Sequence, residues 1–416
     1  MRYFVHLPTS WLILAGALLL AGCGQPEEPA PEPDAQAAER PAQVPDGVPA
    51  TGTLRVAADF DASEIRLHFE FDTDQPGWHH QVWRYQDGRW QRYGSGSDGP
   101  DQYGLYEDRI SMLLDDGLVD GFAQYGGWMT VHEGMRSLDS AVAGEEVAAH
   151  PVLGEGMGRS DVRKYLPQTR TDDAVSWDAL QDPEELAAMQ ARGQFLDLWQ
   201  WRAHRSHPVG YADNGYVLHY RLSSEGRSMY TTNRDDDAEQ PAYMFDPDAT
   251  GQHALRWEAL INGDYGQDDL YYLSRDHAVP FDPDHDWQEG DVIPYRLLQT
   301  PDGSRGAIRA QGGYSDGAWR ITLSRSLESP NSLDSKRLQD QGLYNVAFAV
   351  HTGGVGARWH LVSQPLTMGL GRNDGDIQVV RNPAGIADAL IWTEVELAQP
   401  GQVTWQQVRG GQPNSD

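Results

Sequence analysis

Cysteine is nearly missing: Cys23 is the single one among 416 residues. No disulfide can form within the chain, so the fold must stand on its core. Lysine is almost as scarce, with Lys164 and Lys336 alone, and nearly all positive charge is arginine. That skew reads as genomic composition or a salty habitat, not as mechanism. Positive charge is outnumbered overall, with 32 Lys and Arg against 62 Asp and Glu and a formal net charge of -30. Such a surface repels nucleic acid and anionic lipid and suits solubility or a basic partner. Beyond the N-terminus no apolar run approaches the roughly 20 residues of a spanning helix. There is also no Gly-x-Ser-x-Gly elbow, no His-Glu-x-x-His, no phosphate loop and no dinucleotide fingerprint.

What is present begins with Arg2, an apolar run from Trp11 to Leu20, and Leu20-Ala21-Gly22-Cys23. Together they read as a lipoprotein signal, residues 1–22, with Cys23 as the lipidated first residue of the mature chain. Residues 24–50, rich in Pro, Ala and acid, lack the large apolar side chains needed to offset the entropy of ordering. With Cys23 they form a disordered tether that holds the globular part off a membrane. Gly24 stands where inner-membrane retention signals usually place Asp, as in Gram-negative lipoproteins. The expected location is therefore the periplasmic side of the cell envelope, at the outer membrane in preference to the inner.

Residues 51–416 hold the folded body. In "EIRLHFEFD" (64–72), Ile65, Leu67, Phe69 and Phe71 fall on one face and Arg66, His68 and Glu70 on the other, which predicts a half-buried antiparallel strand. Similar short segments before and after, joined by Gly- or Asp-containing turns, predict a mainly β fold, an antiparallel β-sandwich. Between them, residues 135–215 read as a helix-and-loop insertion. "DPEELAAMQARGQFLDLWQWRAHR" is read there as helical, opening at Asp182-Pro183, with Leu186, Met189, Phe195 and Trp199 near one face and Gly193 as a possible end. No repeat of solenoid length is present.

Chemistry-bearing residues are few. "DPDHDWQEGD" fails as a calcium loop, with Trp287 at its sixth position and Ile293 at its twelfth. His79 and His80 would point to opposite faces of a strand. No nucleophile, base and orienting acid stand at a workable spacing, so no catalytic residue is assigned. "GGWMTVHEGMRSLD" (126–139) has the outline of a haem-attachment stretch without its cysteines, and the ordinary alternative for its His132 is a satisfied core or surface residue.

The segments "YEDRISMLL" (106–114), "GGWMTVHEGM" (126–135), "KYLPQTR" (164–170), "DLWQWRAHRSHPVGYADNGYV" (197–217), "YMFDP" (243–247), "EGDVIP" (289–294), "DGAWRITLSRSL" (316–327) and "YNVAFAVHTGGVGARWHLVSQPLTMGL" (344–370) occur in an order that resembles the ethylbenzene dehydrogenase-related family. That family is also described as a cytochrome c-552/dimethyl sulfoxide reductase-like haem-binding domain. The resemblance implies a β-sandwich that holds haem and passes electrons in the periplasm to other redox proteins, with no catalytic site of its own. Where c-type relatives carry two cysteines, Gly127 and Val131 stand here, so the implied cofactor is a non-covalent haem b. The resemblance implies His132 as one axial ligand; the second is usually a Lys shortly after the "AFAV" strand, where this chain offers His360 instead, with His351, Met129, Met135 and Met368 in reserve. Bis-imidazole ligation leaves no open iron position, as an electron carrier requires.

Trp128, Met129, Trp199, Trp201 and Trp359 are candidate walls of the haem pocket, with core packing as the alternative for the tryptophans. Arg109, with Glu107 and Asp108, either ties a strand to a loop or meets a haem propionate; Arg202, Arg205 and Asp213 invite the same two readings. The competing function is a haem-less β-sandwich binding module for carbohydrate, peptide or an envelope partner, which 14 Trp and 18 Tyr would also suit.

Overall fold

A computed structural model of the chain describes residues 46–94, 99–136, 140–356, 359–400 and 408. The signal, Cys23 and all but the end of the tether lie outside these residues. Among the described residues no helix is long and apolar enough to cross a membrane.

The alternation in Glu64–Asp72 produces the strand it predicts. Ile65, Leu67, Phe69 and Phe71 are buried while Arg66, His68 and Glu70 are half-buried. The strand pairs antiparallel with Thr51–Phe60 on one side, setting Val56 opposite Phe69, and with Ala318–Ser326 on the other, setting Ile321 opposite the same Phe69. From there the ladder continues through Ile308–Ser315, Tyr211–Val217, Leu196–Arg202, Arg109–Asp115 and Leu343–His351. It returns through Leu361–Ser363 and Thr393–Ala398 to Thr51–Phe60. The result is a closed ring of ten antiparallel strands, a barrel and not the expected sandwich. A sandwich keeps free strand edges; here Val350 pairs with Leu361 and Val362 with Ala398, and closure removes them. A parallel pair, Leu366–Leu370 and Ile377–Arg381, fills the rest of the seam between Leu343–His351 and Thr51–Phe60.

The barrel interior is apolar and aromatic. Leu54, Val56, Phe69, Met112, Trp199, Trp201, Trp319 and Phe348 belong to one buried cluster. Three long excursions leave the ring, at 73–108, 116–195 and 218–307. The first and third combine into a satellite sheet with its own core around Trp83, Trp90 and Trp257. Its hairpin Val82–Gln86/Arg89–Tyr93 turns at Asp87-Gly88, both with positive φ (52 and 73), the conformation a tight two-residue hairpin needs.

The expected insertion at 135–215 is corrected at both ends. Its helix covers only Pro183–Ala191, and Gly193 follows in the left-handed region at φ 76. Leu196–Arg202 and Tyr211–Val217 are barrel strands instead. Period 2 places Trp199 and Trp201 together in the barrel interior; the helical reading arose because both faces of this strand are buried, so no polar alternation marks it.

Phe69 lies at the centre of the barrel packing, 1% exposed and edge-on to Phe348 at 5.9 Å. Phe69→Ala is expected to destabilise the fold by about 3–5 kcal/mol. The effect is read as a lowered urea midpoint at unchanged slope, whereas a shift within error would remove this side chain from the core.

Candidate functional site

Three neighbouring barrel strands are buried on both faces, and their outward residues, with those of Leu343–His351 beside them, form the floor of a cavity of about 760 Å³. Strand register arranges that floor in rows. His351, Arg109 and Arg202 lie side by side; Ala349, Ser111, Gln200 and Asp213 form the next row; Ala347, Leu113, Leu198 and Gly215 form the third. The excursions roof it, contributing Trp128, His132, Tyr220, Tyr230 and Arg296 among others.

Histidines reach the cavity from separate segments of the chain. Gly126–Met129 is a 3-10 turn, and Trp128 donates its indole N–H to the Ser363 carbonyl at 3.3 Å. Val131 then bridges Tyr165 through paired backbone hydrogen bonds of 2.8 and 3.2 Å, which fixes the start of the loop bearing His132. On the opposite segment, the turn through Gly353 and Gly354, at φ 70 and 71, reverses the chain. The register that pairs Val350 with Leu361 sets His360 opposite His351 when extended by one residue. Their rings stack at 4.7 Å and 18°. His132, His351 and His360 all line the cavity, with Leu113, Ala347 and Val362 as apolar wall.

The lining is also strongly cationic. Among the described residues ten arginines and Lys164 line the cavity with one carboxylate, Asp213, in a chain whose formal charge is -30. Asp213 pairs with Arg202 and Arg305, each at 2.9 Å. Burial raises its pKa, but Arg202 and Arg305 override that and hold it at about 2. Behind the floor, Glu107 accepts from the backbone N–H groups of His204 and Arg205, each at 2.8 Å, from the Arg205 guanidinium, and faces Arg109 at 3.6 Å. Arg221 and Arg202 both donate to the amide oxygen of Gln200, Arg221 at 2.6 Å. Burial, then the charges of Arg202 and Arg163, push Arg221 down to about 9. Tyr230 sits among three guanidiniums: Arg202, Arg205 and Arg296 lie 5.9, 5.4 and 5.6 Å from its ring centre.

Of the residues expected from the sequence, His132, His360, Trp128, Arg109, His351 and Met135 line this one cavity. Met129 packs in the core beneath it, and Trp199 and Met368 face the barrel interior, so these three do not reach the cavity. For Trp199 the cause is strand parity, since Leu198 and Gln200 take the outward positions. Trp359 is buried outside the lining. Residues 137–139, the end of the "GGWMTVHEGMRSLD" stretch, lie outside the described residues. Arg221, Arg296, Arg305, Tyr106 and Tyr230 were not legible as site residues, although the replacement of Lys by Arg was a usable signal: guanidinium tolerates burial and forked hydrogen bonding better than ammonium. Among the described residues no group of three or more His, Cys, Asp or Glu is placed to hold a bare metal ion.

The family model described as Ethylbenzene dehydrogenase matches residues 30–363 of the chain. No curated protein matches it.

The Tyr230 phenol gives the cavity a pH signature. Burial raises its pKa, but Arg205 and then Arg202 outweigh burial and bring it down to about 7. A depressed pKa means that this group's stabilisation is complete above the free phenol value of about 10 and is lost as pH falls through about 7. Ultraviolet titration of the native protein should therefore show a phenolate step near pH 7 that Tyr230→Phe removes. Identical titrations of the two proteins below pH 9 would mean that the guanidiniums do not act on this ring.

Proposed function

Because the chain belongs to the ethylbenzene dehydrogenase family, we propose that it is a haem-binding electron-transfer protein that takes a non-covalent b-type haem in this cavity. The family points to a subunit that works beside a molybdenum enzyme. The observation that carries the haem reading is the make-up of the cavity lining: His132 and the stacked pair His351 and His360, apolar side chains including Leu113, Ala347 and Val362, and a set of guanidiniums. A haem has matching needs, with an apolar macrocycle, an iron that takes imidazole, and two carboxylates.

In this reading His132 and His360 would hold the haem iron. His351, stacked on His360, holds the plane of that ring. Leu113, Trp128 and Val362 would exclude water, and Arg109, beside His351, would receive the carboxylates. Bound there, the group would supply one-electron transfer, with its potential set by ligand identity and burial. The neighbouring cations would favour the more negative, reduced state of the site. Lipid on Cys23 and the tether of residues 24–50 would keep the body at the periplasmic face of the outer membrane, where an acidic surface suits basic redox partners. The haem-less alternative with a neutral sugar would leave the cavity's guanidiniums uncompensated, which counts against it.

The purified protein supplied with haem should give a sharp Soret band, split α and β bands after dithionite, and pigment that acid-acetone extracts. His132→Ala and His360→Ala should each abolish the low-spin spectrum, while His351→Ala shifts it. A protein that stays colourless through a haem titration would end this reading. Cys23→Ser should move the protein from the membrane to the soluble fraction; unchanged fractionation would remove the lipid anchor.

A further inference from the structure

Six guanidiniums, of Arg109, Arg202, Arg205, Arg221, Arg296 and Arg305, line the cavity, and two carboxylates, Glu107 and Asp213, pair with them. Among the described residues Arg221 forms no ion pair and donates to the neutral amide of Gln200; Arg296 donates to the oxygens of Gln81 and Thr232. The surplus is deeply placed. The Arg109 side chain is 8% exposed and that of Arg202 4%, and Arg109 Nη2 and Arg202 Nε have no hydrogen-bond partner among the described residues. Buried cations without counter-charge are costly, so their convergence is explained by an anion that is not part of the chain.

The two carboxylates of a haem would balance only half of this surplus. They would also do so nearest the histidines, because Arg109 is the row neighbour of His351. The rest lies further along the floor. Arg202 and Arg221 meet at Gln200, two strands from the strand of His351, a distance of about 10 Å at ordinary strand spacing. Arg305 approaches from the roof onto Asp213, the cross-strand partner of Gln200. Three forks thus reach one place from the floor, the neighbouring strand and the roof. A planar carboxylate satisfies one or two such forks in its plane, whereas a tetrahedral oxyanion presents oxygens in all three directions.

We propose that Arg202, Arg221 and Arg305 form a binding site for a phosphate-class dianion, an inorganic phosphate or a phosphate monoester, separate from the stacked pair His351 and His360. Asp213 orients two of the forks, and the Gln200 amide oxygen keeps Arg202 and Arg221 together when the anion is absent. Tyr230, ringed by Arg202, Arg205 and Arg296, reports occupancy: an anion that neutralises these charges moves its ionisation back toward higher pH.

The test is calorimetric titration of the haem-free full-length protein with inorganic phosphate at low ionic strength, repeated with glycerol 3-phosphate and on the R221Q and R305Q variants. One saturable site is expected, weakened about tenfold or more by either substitution, as loss of a charge-assisted hydrogen bond implies. Tighter uptake of glycerol 3-phosphate would assign the site to phosphate monoesters, and equal or weaker uptake to inorganic phosphate. R221Q distinguishes a ligand role from a structural one. Without phosphate its thermal midpoint should equal or exceed that of the wild type, and phosphate should raise it less. A lowered midpoint together with unchanged phosphate affinity would make Arg221 structural and overturn the proposal. Absence of saturable uptake would do the same, as would stoichiometric release of phosphate on haem binding, which would identify these arginines as seats for the haem carboxylates. A protein that takes phosphate but never haem would keep this site and lose only the haem reading.

Discussion

A carboxylate shut away from water holds the working face of this barrel together. Glu107 is 0% exposed and lies just ahead of the strand Arg109–Asp115. It receives the backbone N–H groups of His204 and Arg205 beyond the neighbouring strand, as well as the Arg205 guanidinium. It thereby fastens the ends of two adjacent strands whose outward residues make the cavity floor. Burial opposes its charge, but Arg205 and Arg109 hold the pKa at about 2, so it stays ionised throughout the physiological range. Taken away, it would leave Arg109 and Arg205 facing each other in a dry site, a worse arrangement than losing the pair entirely.

That fastening lets one stretch of barrel wall serve two chemistries. Ile110, Met112 and Leu114 point inward to the aromatic interior, while Arg109, Ser111 and Leu113 point outward to the cavity. The same division runs through Leu196–Arg202, with Trp199 and Trp201 on the inside and Leu198, Gln200 and Arg202 on the outside. The outer sheet surface is therefore a grid: strand order sets position across it and residue parity sets position along it. A polar cavity of this kind needs no helix terminus or glycine-rich loop, because the barrel's own pairing aligns the side chains.

The legibility of the sequence follows from this two-sided burial. Glu64–Asp72 was readable because water lies on one side of it, leaving Arg66, His68 and Glu70 in alternation with the core residues. Leu196–Arg202 was misread as helix because its charged and amide side chains are enclosed as completely as its tryptophans, so hydropathy carried no period. Closure into a barrel was equally hidden, since it depends on pairing between segments more than 300 residues apart, such as Leu54 with Val395. His132, His351 and His360 could be named from motif resemblance, yet the stacking of the last two depends on the Gly353-Gly354 reversal. Most of the arginines could not be named, because Arg221, Arg296 and Arg305 arrive from widely spaced points of one long excursion, and Tyr230 becomes unusual only beside Arg202, Arg205 and Arg296.

Closure also imposes an order of events. Thr51–Phe60, the first strand of the ring, takes Thr393–Ala398, the last, as one of its two neighbours in the ring. Until Thr393–Ala398 is in place, Thr51–Val56 presents an unpaired edge and the ring stays open. The folding chain therefore passes through an incomplete barrel, and the slow, non-local pairing of these two strands is the step that turns an adhesive sheet into an edgeless one.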